Sequence, residues 1–294
     1  MNKYKSIIAD LALFFIVLIW GTTFALMKDA LKDIRPLNFI FLRFTLAALV
    51  LIIVNWWRLS GLKLDLIRLG FYLGLALSGG YIFQISGLAF TTASRAGFIT
   101  GLSVVIVPLI STIYFKKLPP LLVLTGVFLA VIGLLLLFYD GEWTFNLGDL
   151  LVFFCAISFG LHIFLVGQFV QNKDPVLLTI IQIGVVGIFA GMAAGLKGEL
   201  KLTYNIDIWW RIVYMAVMAT GLAFLIQNWA QKFTSAIRTA IIFSLEPVFA
   251  LIFAYILLDE PITQQSLWGG GLIMLGMILA EAGDYFKIGI KTKE

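Results

Sequence analysis

The sequence predicts an all-α polytopic membrane protein: ten transmembrane helices arranged as two inverted five-helix repeats, residues 1–143 and 144–294. Three observations predict it. The first is composition. The chain of 294 residues is 61% hydrophobic and 13% charged, with a mean hydropathy of +1.03, more apolar surface than a soluble domain of this size can cover. The second is segmentation. Apolar residues come in runs of about 20, which at 1.5 Å per residue crosses a hydrocarbon core of roughly 30 Å. The runs are unbroken, whereas strands of a membrane barrel alternate apolar and polar side chains. The third is self-similarity. Residues 84–117 align without gaps on 227–260, 143 positions on: Gln84 meets Gln227, Phe90 meets Phe233, Thr91 meets Thr234, Arg95 meets Arg238 and Leu102 meets Leu245. Earlier parts of the halves align at 139: Asp10 with Asp149, Gly21 with Gly160, Pro36 with Pro175 and Arg43 with Gln182. The difference of four residues is placed most simply in the longer second-half loop near 197–207.

The first predicted span, 8–27, follows Lys3 and Lys5 in the manner of a secretory signal. It runs on past Trp20 with no small-x-small cleavage site after it, so it reads as a retained helix. The second, 36–56, begins at Pro36 and carries Arg43, about 10 Å along the helix and too deep for an ordinary loop charge. The third and fourth, 67–89 and 94–115, hold Tyr81, Gln84 and the start of the self-similar block. The fifth, 120–139, carries Gly126 and Gly133. The second half repeats the scheme at 147–170, 176–196, 208–230, 236–258 and 266–286. Cys155 and His162 lie in the sixth span, Gln182 in the seventh, Gln227 and Asn228 in the eighth. The ninth carries a Glu246-Pro247 step near its middle, where the proline removes a backbone donor and bends the helix. Gly269 and Gly276 in the tenth match Gly126 and Gly133, small residues that let helices approach closely within or between protomers. Trp56, Trp57, Trp209 and Trp210 fall at span ends and read as interfacial belts.

The net charge of +5 does not imply nucleic acid, because the basic residues sit in short loops and set topology. Lys116 and Lys117 fall among the more basic set of loops, Asp259 and Glu260 among the other. The bias places both termini in the cytoplasm and the chain in the cell membrane. One cysteine allows no intrachain disulfide, and one histidine excludes a multi-histidine metal site. No phosphate loop, HExxH or GxSxG motif occurs, so no cofactor, ATP-driven step or hydrolase chemistry is implied. Five helices are an odd number, so the halves lie in opposite orientation about an axis in the membrane plane, the architecture of secondary transporters.

Several motifs carry a family resemblance: IWGTTFALMKDAL in the first helix, FLRFTLAAL around Arg43, SRAGFITGLSVVIVPLIS in the fourth, SFGLHIFLVGQ in the sixth and SLEPVFALIFAYILLDEP in the ninth. The chain resembles the drug/metabolite transporter superfamily in its ten-helix EamA branch, over nearly its whole length. The resemblance implies a central cavity built from the first four helices of each half, the fifth and tenth lying peripherally. It also implies movement of small metabolites, commonly amino acids or related compounds. One departure is that Ser103-Val104 stands where the second half has Glu246-Pro247.

Candidate substrate-binding or coupling residues are Trp20, Arg43, Tyr81, Gln84, His162, Gln182, Gln227, Asn228 and Glu246. A carboxylate at bilayer depth is costly, so Glu246 faces protein or water. It reads either as a proton carrier or cation partner, or as a structural acid locked to Arg43 or a backbone donor. Arg43 reads either as a bidentate ligand for a substrate carboxylate or as the neutraliser of Glu246. The glutamines at matched depth read as cavity lining or as interhelical glue, which in membranes contributes about 0.6 kcal/mol per bond. His162 reads as a proton relay or a neutral packing histidine. Trp20 and Tyr81 can stack on a ligand. The function expected is alternating-access transport of a small molecule, with lipids as the surrounding partner. The alternatives are a membrane-embedded enzyme and a non-transporting accessory or sensor protein on the same fold. Direction, coupling ion and oligomeric state have no sequence signal.

Overall fold

The structure is a computed structural model that describes residues 3–116, 120–138, 144–171, 173–234, 239, 242–243 and 245–291, with the side chains of Lys3, Tyr4, Ser6, Val104 and 280–291 excepted. Within these residues helices occupy each of the ten predicted segments and no strand occurs. The first half comprises α1 (Lys3–Ala30), α2 (Pro36–Val54), α3 (Leu64–Leu88), α4 (Ala93–Gly101) continuing into α5 (Ser103–Phe115), and α6 (Leu121–Phe138). The second comprises α7 (Leu147–Phe169), α8 (Pro175–Leu196), α9 (Ile206–Tyr214) passing through a π-helix (Met215–Leu222) into α10 (Ala223–Ala230), then α11 (Glu246–Leu258) and α12 (Gln264–Lys291). Seven of these segments are long and apolar enough to cross a membrane: 7–30, 36–54, 64–88, 93–115, 147–169, 175–196 and 206–230. The shorter apolar helices 121–137 and 246–258 and the helix 264–291 fill the remaining positions.

The helix starts follow local chemistry. Pro36 and Pro175 each take a first-turn position, where the missing N–H would be unsatisfied in any case. Asp174 caps α8 by accepting from the amides of Val176 and Leu177. Asn146 and Asp149 form a reciprocal capping box at the start of α7, both bonds 3.1 Å. The fourth and ninth segments lapse at matched leucines. Leu102 takes φ −58°, ψ −16° and Leu245 takes φ −81°, ψ −14°, each opening the helix that follows.

The packing is its own image when the halves are exchanged. Helix α3 packs on α7, and α1 packs on the π-helix and α10. Helices α4 and α5 pack on α7, as α11 packs on α1. The self-matched pairs α2–α8, α4–α11 and α6–α12 are also in contact. Close approaches repeat in the same way. A Cβ on Gly21 would lie 2.3 Å from the Cβ of Phe249, and one on Gly160 would lie 2.8 Å from Ile106, the first-half mate of Phe249. A Cβ on Gly133 would meet the Gly269 carbonyl at 2.5 Å, and one on Gly276 the Gly126 carbonyl at 2.4 Å. The glycine stripes of the fifth and tenth segments therefore bring α6 and α12 together within one chain.

Contacts between helix ends sort into two sets. One joins Lys28, Asp29, Asn38, Thr91, Ser94, Arg95, Asp149, Lys201, Tyr204, Arg211 and Glu260. The other joins Asp10, Arg58, Asp65, Gln171, Lys173, Asp174, Lys232 and Thr234. None of these hydrogen bonds and ion pairs crosses between the sets, as expected if successive helices run up and down between two faces.

Candidate functional site

Between the halves lies a cavity of about 40 Å3, lined by fourteen residues. Twelve of the fourteen form six pairs related by the 139 and 143 offsets: Trp20 with Phe159, Thr23 with His162, Tyr81 with Phe224, Gln84 with Gln227, Thr100 with Phe243, and Ser103 with Glu246. Leu77 and Ile163 complete the wall. A cavity lined by equivalent positions of two repeats sits on the axis that relates them. It has room for water molecules.

The glutamine pair has uncommitted hydrogen-bonding capacity. Gln227 is 1% exposed, and neither atom of its side-chain amide has a partner among the described residues. Gln84, also buried, makes no side-chain hydrogen bond to the described residues. Glu246, at the first position of α11, makes neither a hydrogen bond nor an ion pair with them. The wall around it is aromatic. Trp20 lies 5.0 Å from Phe243 and 5.6 Å from Phe224, and Tyr81 lies 6.2 Å from Phe224 and 5.1 Å from Phe159, all between ring centroids. The indole N–H of Trp20 donates to the Ala219 carbonyl at 2.9 Å, which fixes the ring at the cavity edge.

Arg43 takes neither of its expected roles in this conformation. It is 1% exposed and outside the cavity lining, and its partners are not Glu246. Its Nε donates to Thr220 Oγ1 at 2.7 Å, and longer contacts reach the Met27 sulfur at 3.5 Å and the Tyr81 hydroxyl and Ala219 carbonyl at 3.4 Å. The guanidinium carbon also lies 4.9 Å from the Tyr81 ring centroid. The reason is the π-helix at 215–222, which carries both Ala219 and Thr220. Arg43 is drawn to that segment, and Tyr81 stands between it and the cavity. Its repeat mate Gln182 also lies off the lining and bonds His162 at 3.0 Å. Asn228 turns away too, donating to Thr179 Oγ1 at 2.8 Å. The structure thus brings Trp20, Tyr81, Gln84, His162, Gln227 and Glu246 to one cavity and leaves Arg43, Gln182 and Asn228 behind its wall.

Thr23, Thr100, Phe159, Phe224 and Phe243 line the cavity without having been singled out in the sequence. The signal for them was present. Adding or subtracting the two offsets from Trp20, Tyr81 and His162 yields Phe159, Phe224 and Thr23 directly.

Equivalent contacts join the two halves in each of the two sets of helix ends. At one end Asp149, 0% exposed, accepts from Thr91 Oγ1 at 2.6 Å and from Arg95 at 3.3 Å. Glu260 ties the second half to the first by capping α4, accepting from the Ala93 and Ser94 amides at 2.8 and 3.0 Å, while Lys28 donates within the first half to the carbonyls of Leu88 and Thr91 at 2.8 and 2.7 Å. At the other end Thr234 Oγ1 donates to Asp10 at 3.1 Å. Asp10 and Thr234 are the repeat mates of Asp149 and Thr91. Arg238, the mate of Arg95, lies outside the described residues.

The model of the EamA-like transporter family matches twice, over residues 7–139 and 146–281. A protein from Archaeoglobus fulgidus named as an uncharacterized transporter is 35% identical over 276 residues, covering 94% of this chain and 86% of the relative. The uncharacterized transporter YyaM of Bacillus subtilis is 27% identical over 273 residues, covering 88% and 89% of the two chains. A solved crystal structure shares the fold with a TM-score of 0.67 at 18% identity, over 92% of this chain and 96% of that one.

Proposed function

The chain belongs to the EamA-like transporter family, and from that premise we propose that it is a secondary transporter working by alternating access. Two inverted repeats rock about the axis on which the cavity lies. The observation that carries this reading is the pairing of the lining: twelve of fourteen wall residues are repeat mates, Gln84 and Gln227 among them. The matched closures support it. The Thr91–Asp149 and Asp10–Thr234 bonds each tie one half to the other, one at each end. With both made, the halves are tied together at each end. Opening to one side breaks one and keeps the other.

The basic-loop bias places Asp10–Thr234 at the cytoplasmic face of the cell membrane, with both termini, and Asp149 at the outer face. The cargo is a small polar or amphipathic metabolite of the size of an amino acid or related compound. Glu246, the charged residue of the wall, is the group placed to exchange a proton with the cavity. Flux in liposomes tests the reading. The purified chain should give time-dependent, saturable uptake of a labelled amine or amino acid above protein-free liposomes. The Gln84→Ala, Gln227→Ala double variant should lose most of it. Absence of flux with every member of such a panel contradicts the proposal.

A further inference from the structure

We propose that the cargo carries a cationic nitrogen on an apolar body and no carboxylate: an organic amine rather than an amino acid. The proposal rests on the transporter reading for movement of that cargo; the binding claim can be tested apart from it. Charge is the first ground. Among the fourteen wall residues Glu246 is a carboxylate, and there is no lysine or arginine. Glu246 has no hydrogen bond or ion pair among the described residues. The buried cation of α2, Arg43, is already satisfied by Thr220, Ala219 and Tyr81 and stands off the wall. A carboxylate brought into this cavity meets like charge and no cation. An ammonium meets an uncompensated carboxylate, the pairing that a low-dielectric site requires of a buried charge.

The wall supplies the second ground. Five rings form a connected series, Phe243 to Trp20 to Phe224 to Tyr81 to Phe159, with neighbouring centroids between 5.0 and 6.2 Å apart. Aromatic faces attract cations, most strongly where water is excluded. Rings and a single carboxylate together recognise an ammonium with an apolar substituent. Gln227, 1% exposed with its amide unpartnered among the described residues, adds a buried hydrogen-bonding group to the same wall. Its oxygen accepts from an N–H donor without introducing a competing cation.

Calorimetric binding to the purified full-length chain in detergent tests this with four matched probes: 2-phenylethylamine, phenylalanine, 2-phenylethanol and 3-phenylpropanoate. The amine should bind at least about tenfold tighter than each of the others, a factor that corresponds to about 1.4 kcal/mol. This ranking in the wild-type protein needs no variant. In Glu246→Gln the amine should lose that advantage over the alcohol; in Glu246→Asp, which keeps the charge, it should retain most of it. Binding of the acid, the alcohol or the amino acid as tight as that of the amine overturns the proposal. So does an amine that fails to bind. Proteoliposomes separate this from the transporter reading. An amine that binds but is never moved leaves the cationic site standing and removes the transport reading. Saturable flux of the acid or the alcohol, with no binding of the amine, does the reverse.

Discussion

Gln227 and Thr220 lie close together in sequence and make opposite contributions to stability. Both amide atoms of Gln227 are buried without a partner among the described residues, and a buried unsatisfied group costs roughly 1–3 kcal/mol. Gln227→Leu is therefore expected to unfold no earlier than wild type, and on this ground somewhat later, while ligand affinity falls. Thermal unfolding and calorimetry on the same preparation check the two halves of that prediction. Thr220 instead holds a buried guanidinium through its shortest bond, 2.7 Å. Thr220→Val should destabilise by about 1.5–3 kcal/mol, the range for hydrogen bonds to charged groups, and unfold several degrees earlier. Equal stability of the two variants contradicts the assignment of Arg43 as a structural cation. The His162–Gln182 bond behaves likewise: Gln182→Ala should destabilise by about 1 kcal/mol.

The sequence readily revealed where these residues stand along the chain but not which way they face. In a soluble helix the polar stripe reports the exposed face. Here apolar side chains face both lipid and core, so Arg43 and Glu246 at similar depth looked like partners. Only tertiary contacts separate them.

The helices themselves were legible because length and hydropathy suffice in a membrane. The π-helix at 215–222 was not. Its Ala219 carbonyl and Thr220 hydroxyl are met by Trp20 and Arg43, 199 and 177 positions away, and no local propensity encodes such partners. The glycine stripe, by contrast, was visible in sequence, while its choice of partner was not. The structure assigns it to α6 and α12 of one chain. A side chain on Gly276 meets backbone, at 2.4 Å from the Gly126 carbonyl, so it cannot be accommodated by a rotamer change. Gly276→Val should cost about 1–3 kcal/mol by overpacking. Gly271 lies five positions earlier, and a Cβ placed there would have nothing within 4 Å. Gly271→Ala should be neutral or slightly stabilising, since alanine favours the helix by about 1 kcal/mol. Thermal unfolding of the pair in detergent decides whether the stripe is a helix contact.

The repeat is where sequence and structure inform each other most. Two numerical offsets, found without coordinates, predict most of the cavity wall, because equivalent positions of both halves converge on one axis. They also relate Asp10 to Asp149 and Thr91 to Thr234, although only the structure shows that these aligned residues touch across the halves. Sequence could not supply that, since alignment matches a residue to its mate and not to its partner. On the proposed reading these contacts are two equivalent closures, each held by a buried or half-buried aspartate and a threonine. Weakening one should favour opening at that end and leave the other shut.

The most direct test is side-specific labelling of a single cysteine in the cavity. Gln84→Cys in a Cys155→Ala background is reconstituted in vesicles and exposed to a membrane-impermeant maleimide from each face in turn. Adding Asp149→Asn should raise labelling from the outer face by about tenfold or more, the change expected for roughly 1.4 kcal/mol of population shift. Adding Asp10→Asn should raise it from the inner face instead. Opposite effects of equivalent substitutions establish alternating access about the repeat axis. An increase from the same face with both variants, or no change with either, contradicts it.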